Sequence, residues 1–206
     1  MSFLIGTGFY ASKQEHRAKA DEFLCWQENT GFNKEVVIVD NSDVGLWQFS
    51  PHRIIRVKKN LGHMSAPARH AGRFTGWSVS WIIPAMMAYS EGVDFIYKEQ
   101  DCFAFGNWIE EIQTGDFTVG RNSIMPCEQS LFFIRHGSIL SVIQKYMAIE
   151  RADTCCSTEE KFVLCGATFH GLGCGRERPL TTDAKTWYAQ KLTRKEINEL
   201  THSRLV

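Results

Sequence analysis

Val36-Val37-Ile38-Val39 is an uninterrupted run of β-branched apolar residues, closed at once by Asp40-Asn41-Ser42-Asp43. Branching at Cβ favours the pleated backbone over a helix, and the lack of polar alternation requires cover on both faces. The run therefore reads as a buried strand with a polar exit. Its neighbours must be found elsewhere in the chain. Phe3-Leu4-Ile5 reads as a second buried strand ending in a turn at Gly6-Thr7-Gly8. Between the two, Ser12-Lys13-Gln14-Glu15 is a capping box opening a helix that carries Ala20, Phe23 and Leu24, with Gly31 as its stop. Arg53 to Val57 reads as a third strand, ending at Asn60-Leu61-Gly62. Helical stretches follow around 66–74 and 81–90. Val93 to Tyr97 is then a fourth strand, with Lys98-Glu99-Gln100-Asp101 at its carboxyl end.

Alternation of this kind predicts an α/β fold with a mixed, mainly parallel central sheet flanked by helices. Ligands of such sheets sit outside the carboxyl ends of the strands. The polar clusters at 6–10, 40–43 and 98–101 all fall there. The later chain is less regular. Phe117-Thr118-Val119 and Ser130 to Ile134 read as strands, and His136 to Met147 reads as a helix. Ser157 opens another helix, and Thr193-Arg194-Lys195-Glu196 caps a last one. No repeat, low-complexity run or linker divides the chain, so a single domain over residues 1–206 is expected.

Composition narrows the partners. Lys+Arg and Asp+Glu number 23 each, which leaves no basic field to recruit nucleic acid or anionic lipid. The seven cysteines form no CxxC pair, and reduced structural thiols are the expected state. The N-terminal residues lack the charged and apolar regions of a signal peptide. The most apolar window, Trp81 to Tyr89, is about half a membrane span and contains Pro84. A cytoplasmic protein with no transmembrane segment is expected.

Glu99-Gln100-Asp101 places two carboxylates two residues apart at a strand exit, where one hard cation can meet both. Mg²⁺ or Mn²⁺ is commonly held by one or two carboxylates plus substrate phosphates. With Asn60-Leu61-Gly62-His63 and Ala68-Arg69-His70-Ala71-Gly72 upstream, the order and spacing resemble those of family 2 glycosyltransferases of GT-A fold. The resemblance covers roughly the first 105 residues. It implies that Glu99-Gln100-Asp101 occupies the DxD place, with Glu for the first Asp, and that residues 1–105 bind a nucleotide-diphospho-sugar. Residues 106–206 would receive a carbohydrate-bearing acceptor.

In that reading Asp101 is the first metal ligand for Mn²⁺ or Mg²⁺, Glu99 helps it directly or through water, and His170 is a further candidate. Gly6, Thr7, Gly8, Phe9 and Tyr10 form the base-binding loop, Asp40 meets base or ribose, and Asn60 and Arg69 lie near the nucleotide. An inverting transfer needs a carboxylate base, and Thr158-Glu159-Glu160 resembles the family's acidic motif at a helix start. Ser157 and Glu160 also make a capping box. Glu160 is therefore either base or cap, and Glu159 is the base in the second case. Arg176 and Arg178 are candidates for a diphosphate clamp, with Glu177 as their alternative partner.

Two rival readings stand beside this one. Gly6-Thr7-Gly8-Phe9-Tyr10-Ala11 matches the G-x-G-x-x-A loop of an NAD(P)-dependent oxidoreductase, followed by Asp40 at the next strand end. Against it, the helix starts at Ser12 rather than at the glycines, and Phe9 and Tyr10 crowd the phosphate approach. No tyrosine has a lysine four residues on. The other rival is a non-catalytic module that binds sugar nucleotides.

Overall fold

The β-branched run lies inside a parallel sheet, as its composition requires. Strand β2 (Val36–Asp40) is flanked by β1 (Phe3–Phe9) and β3 (Arg53–Arg56), and β4 (Asp94–Lys98) lies on the far side of β1. All three pairings are parallel. Beyond β4 the sheet turns antiparallel through β7 (Glu128–Ile134) and β6 (Phe117–Gly120), then parallel again at β8 (Thr168–His170). The order is β3-β2-β1-β4-β7-β6-β8, a mixed, mainly parallel sheet. A smaller sheet joins β5 (Cys102–Ala104), β10 (Tyr188–Gln190) and β9 (Gly173–Gly175). The computed structural model describes residues 2–10, 18, 21–22, 24–25, 35–42, 52–57, 76–121, 127–152, 156–170, 173–175 and 188–202.

Period-two alternation splits the strands between two cores. Leu4, Val37, Phe95 and Phe132 face one side, against Trp81 of α1 (Gly76–Glu91), Tyr146 of α3 (Ile139–Arg151) and Phe162 of α4 (Thr158–Leu164). Ile5, Ile38, Ile96 and Phe133 face the other, against Trp108 and Ile112 of α2 (Trp108–Ile112) and against Leu24. Residues 21, 22, 24 and 25 are helical, as the pattern of apolar residues there predicts. The capping box at Ser12 and the helix expected around 66–74 lie outside the described residues. The last helix, α5 (Arg194–His202), has its expected cap: Glu196 Oε2 accepts from Thr193 N–H at 2.7 Å, and Thr193 Oγ1 accepts from Glu196 N–H at 3.3 Å.

One local expectation is corrected. Gly6-Thr7-Gly8 is not a turn: β1 continues through it to Phe9. A Cβ on Gly6 would sit 2.6 Å from Pro84 Cβ, and one on Gly8 would sit 2.6 Å from Ser80 Oγ. The two glycines let α1 lie directly on β1. Five elements went unforeseen: β5, β8, β9, β10 and α2. Each of these strands has three residues and α2 has five, too short for hydrophobic periodicity to show.

Beneath α1, Lys161 Nζ meets Glu150 Oε1 at 2.9 Å with both side chains almost wholly buried. Ser78 Oγ lies 3.1 Å from Tyr146 Oη beside them. This buried polar knot ties α1, α3 and α4 together. Among the described residues Cys25, Cys102, Cys127, Cys156 and Cys165 form no disulfide. Among the described residues no helix is long and apolar enough to cross a membrane.

Candidate functional site

A cavity of about 410 Å³ opens at the carboxyl ends of β1, β2 and β4, on the face that carries α1. Strand β1 and its exit bring Gly8, Phe9 and Tyr10, and β2 and its exit bring Val39 and Asn41. The loop after β4 brings Glu99, Gln100 and Asp101. Helix α1 adds Trp77, β7 adds Gln129, and Lys191 follows β10. The sheet edge that the sequence marks for a ligand is thus a real recess, closed partly by residues from late in the chain.

The two carboxylates of Glu99-Gln100-Asp101 are not equivalent. Glu99 Oε1 accepts from Trp77 Nε1–H at 2.9 Å and from Gln129 Nε2 at 3.5 Å. Glu99 Oε2 accepts from Gln190 Nε2 at 2.7 Å. Two short bonds, from α1 and β10, therefore fix this carboxylate, with the Gln129 amide of β7 at the limit of hydrogen-bond range, and short charge-assisted bonds are the strong kind. Asp101 Oδ1 has only a 3.5 Å contact with the same Gln190 amide among the described residues. Its carboxylate is the less committed of the two.

Tyr97 backs this loop. Its hydroxyl is buried and lies 2.8 Å from Ser80 Oγ. Burial first, and then the Glu99 charge, push its pKa far up, so it stays neutral. Lys98 points to the opposite face, buried, with Nζ 5.6 Å from the Trp108 ring centroid. Burial lowers its pKa to about 8.

The residues expected in the site divide by sheet face. Gly8, Phe9, Tyr10, Glu99 and Asp101 line the cavity. Gly6 lies under Pro84, and Thr7 is buried off the cavity on the Ile5 side of β1. Asp40 shares the Ile38 side of β2, and its Oδ1 accepts from Ser42 N–H at 2.9 Å, which shapes the strand exit. Val39 and Asn41, on either side of it in sequence, are the residues here that reach the cavity. Asn60, Arg69, Arg176 and Arg178 lie outside the described residues.

His170 does not line the cavity; its Nε2 lies 3.9 Å from Glu111 Oε2, beside α2. Glu159 and Glu160 do not line it either. Glu160 completes both arms of the capping box, with Oε2 accepting from Ser157 N–H at 2.6 Å. Glu159 is half-buried beside the start of β7. Burial first, and then the Glu159 and Glu128 charges, push the Cys127 thiol up to about 12.

Sequence reasoning missed Asn41 as a lining residue, and also Trp77, Gln129, Gln190 and Lys191. Asn41 alone carried a signal, since Val39 points inward and side chains repeat every second residue. The other four come to the site through tertiary packing.

The donor set suits a hard divalent cation. Asp101 offers a carboxylate with spare acceptor capacity, and Glu99 stands beside it. No group of three or more His, Cys, Asp or Glu placed to hold a metal ion occurs among the described residues. Mg²⁺ and Mn²⁺ do not require one, because substrate phosphates and water complete their shells.

The sequence matches no family model and no curated protein. The fold does match solved structures. A glycosyltransferase involved in glycosylating the major capsid protein of PBCV-1 is similar, with a TM-score of 0.56 and 12% identity, covering 98% of this chain and 100% of its own. The galactosyltransferase LgtC, solved with donor and acceptor sugar analogues, has a TM-score of 0.54 at 9% identity, covering 98% and 96%. GlyE of Streptococcus pneumoniae TIGR4 has a TM-score of 0.56 at 10% identity; this chain is 98% covered and spans 60% of GlyE. At such identities the likeness establishes architecture: the chain has a GT-A-type fold.

Proposed function

We propose that the chain is a glycosyltransferase that takes a sugar from a nucleotide-diphospho-sugar and passes it to a carbohydrate-bearing acceptor on a glycan, lipid or protein. One observation carries the reading. In a GT-A-type fold, a single cavity gathers the exits of β1, β2 and β4, and the Glu99-Gln100-Asp101 carboxylates stand in its wall. The oxidoreductase alternative loses its basis, because the glycines it needs at a phosphate-binding turn are packing residues inside β1. A cytoplasmic location is proposed with the glycosyltransferase reading, since seven cysteines without a CxxC pair suit reduced structural thiols.

In the transfer, the bond between the sugar's anomeric carbon and the diphosphate oxygen breaks, and a bond from that carbon to the acceptor oxygen forms. The diphosphate leaves with the electron pair, and the acceptor hydroxyl proton passes to a carboxylate. Asp101, with Glu99 behind it, would hold Mn²⁺ or Mg²⁺, which when bound offsets the negative charge developing on the diphosphate. Phe9 and Tyr10 provide apolar surface for the base. Inversion is proposed, with Glu159 as the base: Glu160 is occupied as cap, and Glu159 stands near the start of the strand that carries Gln129 into the cavity.

Incubating the purified chain with UDP- and GDP-sugars and MnCl₂, with mass-spectrometric detection of free sugar, tests the reading. Metal-dependent release of free sugar from one donor is expected. Donor binding with no release, even with acceptor present, would indicate a binding module instead. Binding of NADH or NADPH in preference to every sugar nucleotide would overturn the proposal.

A further inference from the structure

Lys191 has φ of 53°, and it is the only non-glycine residue with positive φ among those described. It lies between β10 and the Thr193 cap of α5, where the chain changes direction. The left-handed region costs a lysine steric strain that glycine does not feel, so glycine would serve this turn better. What lysine adds here over glycine is an aliphatic stem and an ammonium.

The backbone holds this residue at the cavity. Lys191 N–H donates to Asp101 O at 3.2 Å, and the preceding residue, Gln190, is buried and pairs with Cys102 across the β5–β10 ladder. The Gln190 side chain reaches Glu99 and Asp101 from the same segment. Gln190-Lys191 is therefore stitched to the acidic loop at three points. Among the described lining residues, Lys191 is the only basic one, in a wall that also holds Glu99 and Asp101. A diphosphate entering this recess adds negative charge beside two acids and requires cations within a few ångströms. Strain at a residue that lines a cavity, with its backbone fixed from both sides, is the pattern of a functional contact.

We propose that Lys191 is a phosphate contact, its ammonium binding a non-bridging oxygen of the diphosphate of a nucleotide held in this cavity. The inference rests on the nucleotide-sugar reading above and assigns part of its phosphate recognition to a residue near the end of the chain.

Calorimetric titration of the full chain tests it, using the uridine, guanosine, adenosine and thymidine diphosphates with MnCl₂, their monophosphates, and MnCl₂ alone. Lys191→Met should weaken the bound diphosphate about tenfold or more, as expected for loss of a charged hydrogen bond, and should weaken the monophosphate less. Lys191→Arg should retain most of the affinity. Lys191→Gly should lose the affinity while melting at or above the wild-type temperature, a combination that a purely structural lysine would not give. If wild type binds none of these diphosphates, the nucleotide reading falls and this inference with it. If wild type binds one and Lys191→Met binds it equally well, only the Lys191 assignment is lost. Tighter Mn²⁺ binding in Lys191→Met with unchanged nucleotide affinity would make Lys191 a counter-ion of Asp101 and would also overturn it. A lower melting temperature for Lys191→Gly would remove the strain argument and the inference that rests on it.

Discussion

Glu159 and Glu160 are adjacent acids at the start of one helix, and the structure separates them. Glu160 turns back on its own helix and accepts from Ser157 N–H, so its carboxylate is used in holding α4 together. Gln fills a capping box nearly as well, so Glu160→Gln should leave both melting temperature and sugar transfer close to wild type. Glu159 has no such duty on its own helix. If it takes the acceptor proton, Glu159→Gln should keep donor affinity and lose turnover by about 10²–10⁴-fold. Steady-state kinetics on the two variants separates these roles, and near wild-type rates in both would exclude this helix start as the source of the base. The capping pattern itself was readable from Ser157 and Glu160. Which of the two acids it leaves available needed the side-chain hydrogen bonds.

At the level of elements, the contact of α1 with β1 decides what the glycines mean. Gly8 faces Ser80, so an added methyl must push the helix away from the strand. Gly8→Ala should therefore destabilise the fold by about 1–3 kcal/mol, the usual cost of overpacking, and be visible in urea unfolding. Were Gly8 a phosphate-binding turn residue, the change would impair ligand binding and leave stability nearly untouched. An unchanged unfolding midpoint would thus contradict the packing account. Continuous apolar runs were legible here: β2, β3, β4 and the second half of α1 follow from them. The extent of β1 was not, because Gly6 and Gly8 read as a turn until a helix is known to lie on them. Strands of three residues such as β10 carry no periodicity at all, yet β10 delivers Gln190, and Lys191 just after it, to the site.

On the scale of the whole molecule, the parallel half of the sheet sets the recess and the rest of the chain furnishes it. The acidic pair and the Gly8-to-Tyr10 edge could be read in the sequence, because strand exits in such sheets are where ligands bind. Trp77, Gln129 and Gln190 could not, since they converge on Glu99 from positions 22 residues before it and 30 and 91 residues after it. Their convergence makes Glu99 a braced carboxylate and leaves Asp101 as the carboxylate we propose for the metal. The central claim is that donor binding depends on that carboxylate. Calorimetric titration of the tightest-binding sugar nucleotide, with and without MnCl₂, into wild type and Asp101→Ala tests it most directly. The account predicts metal-dependent binding in wild type, and in Asp101→Ala no enhancement by metal with an unchanged melting temperature. Equal, metal-enhanced affinity in the two proteins would contradict it.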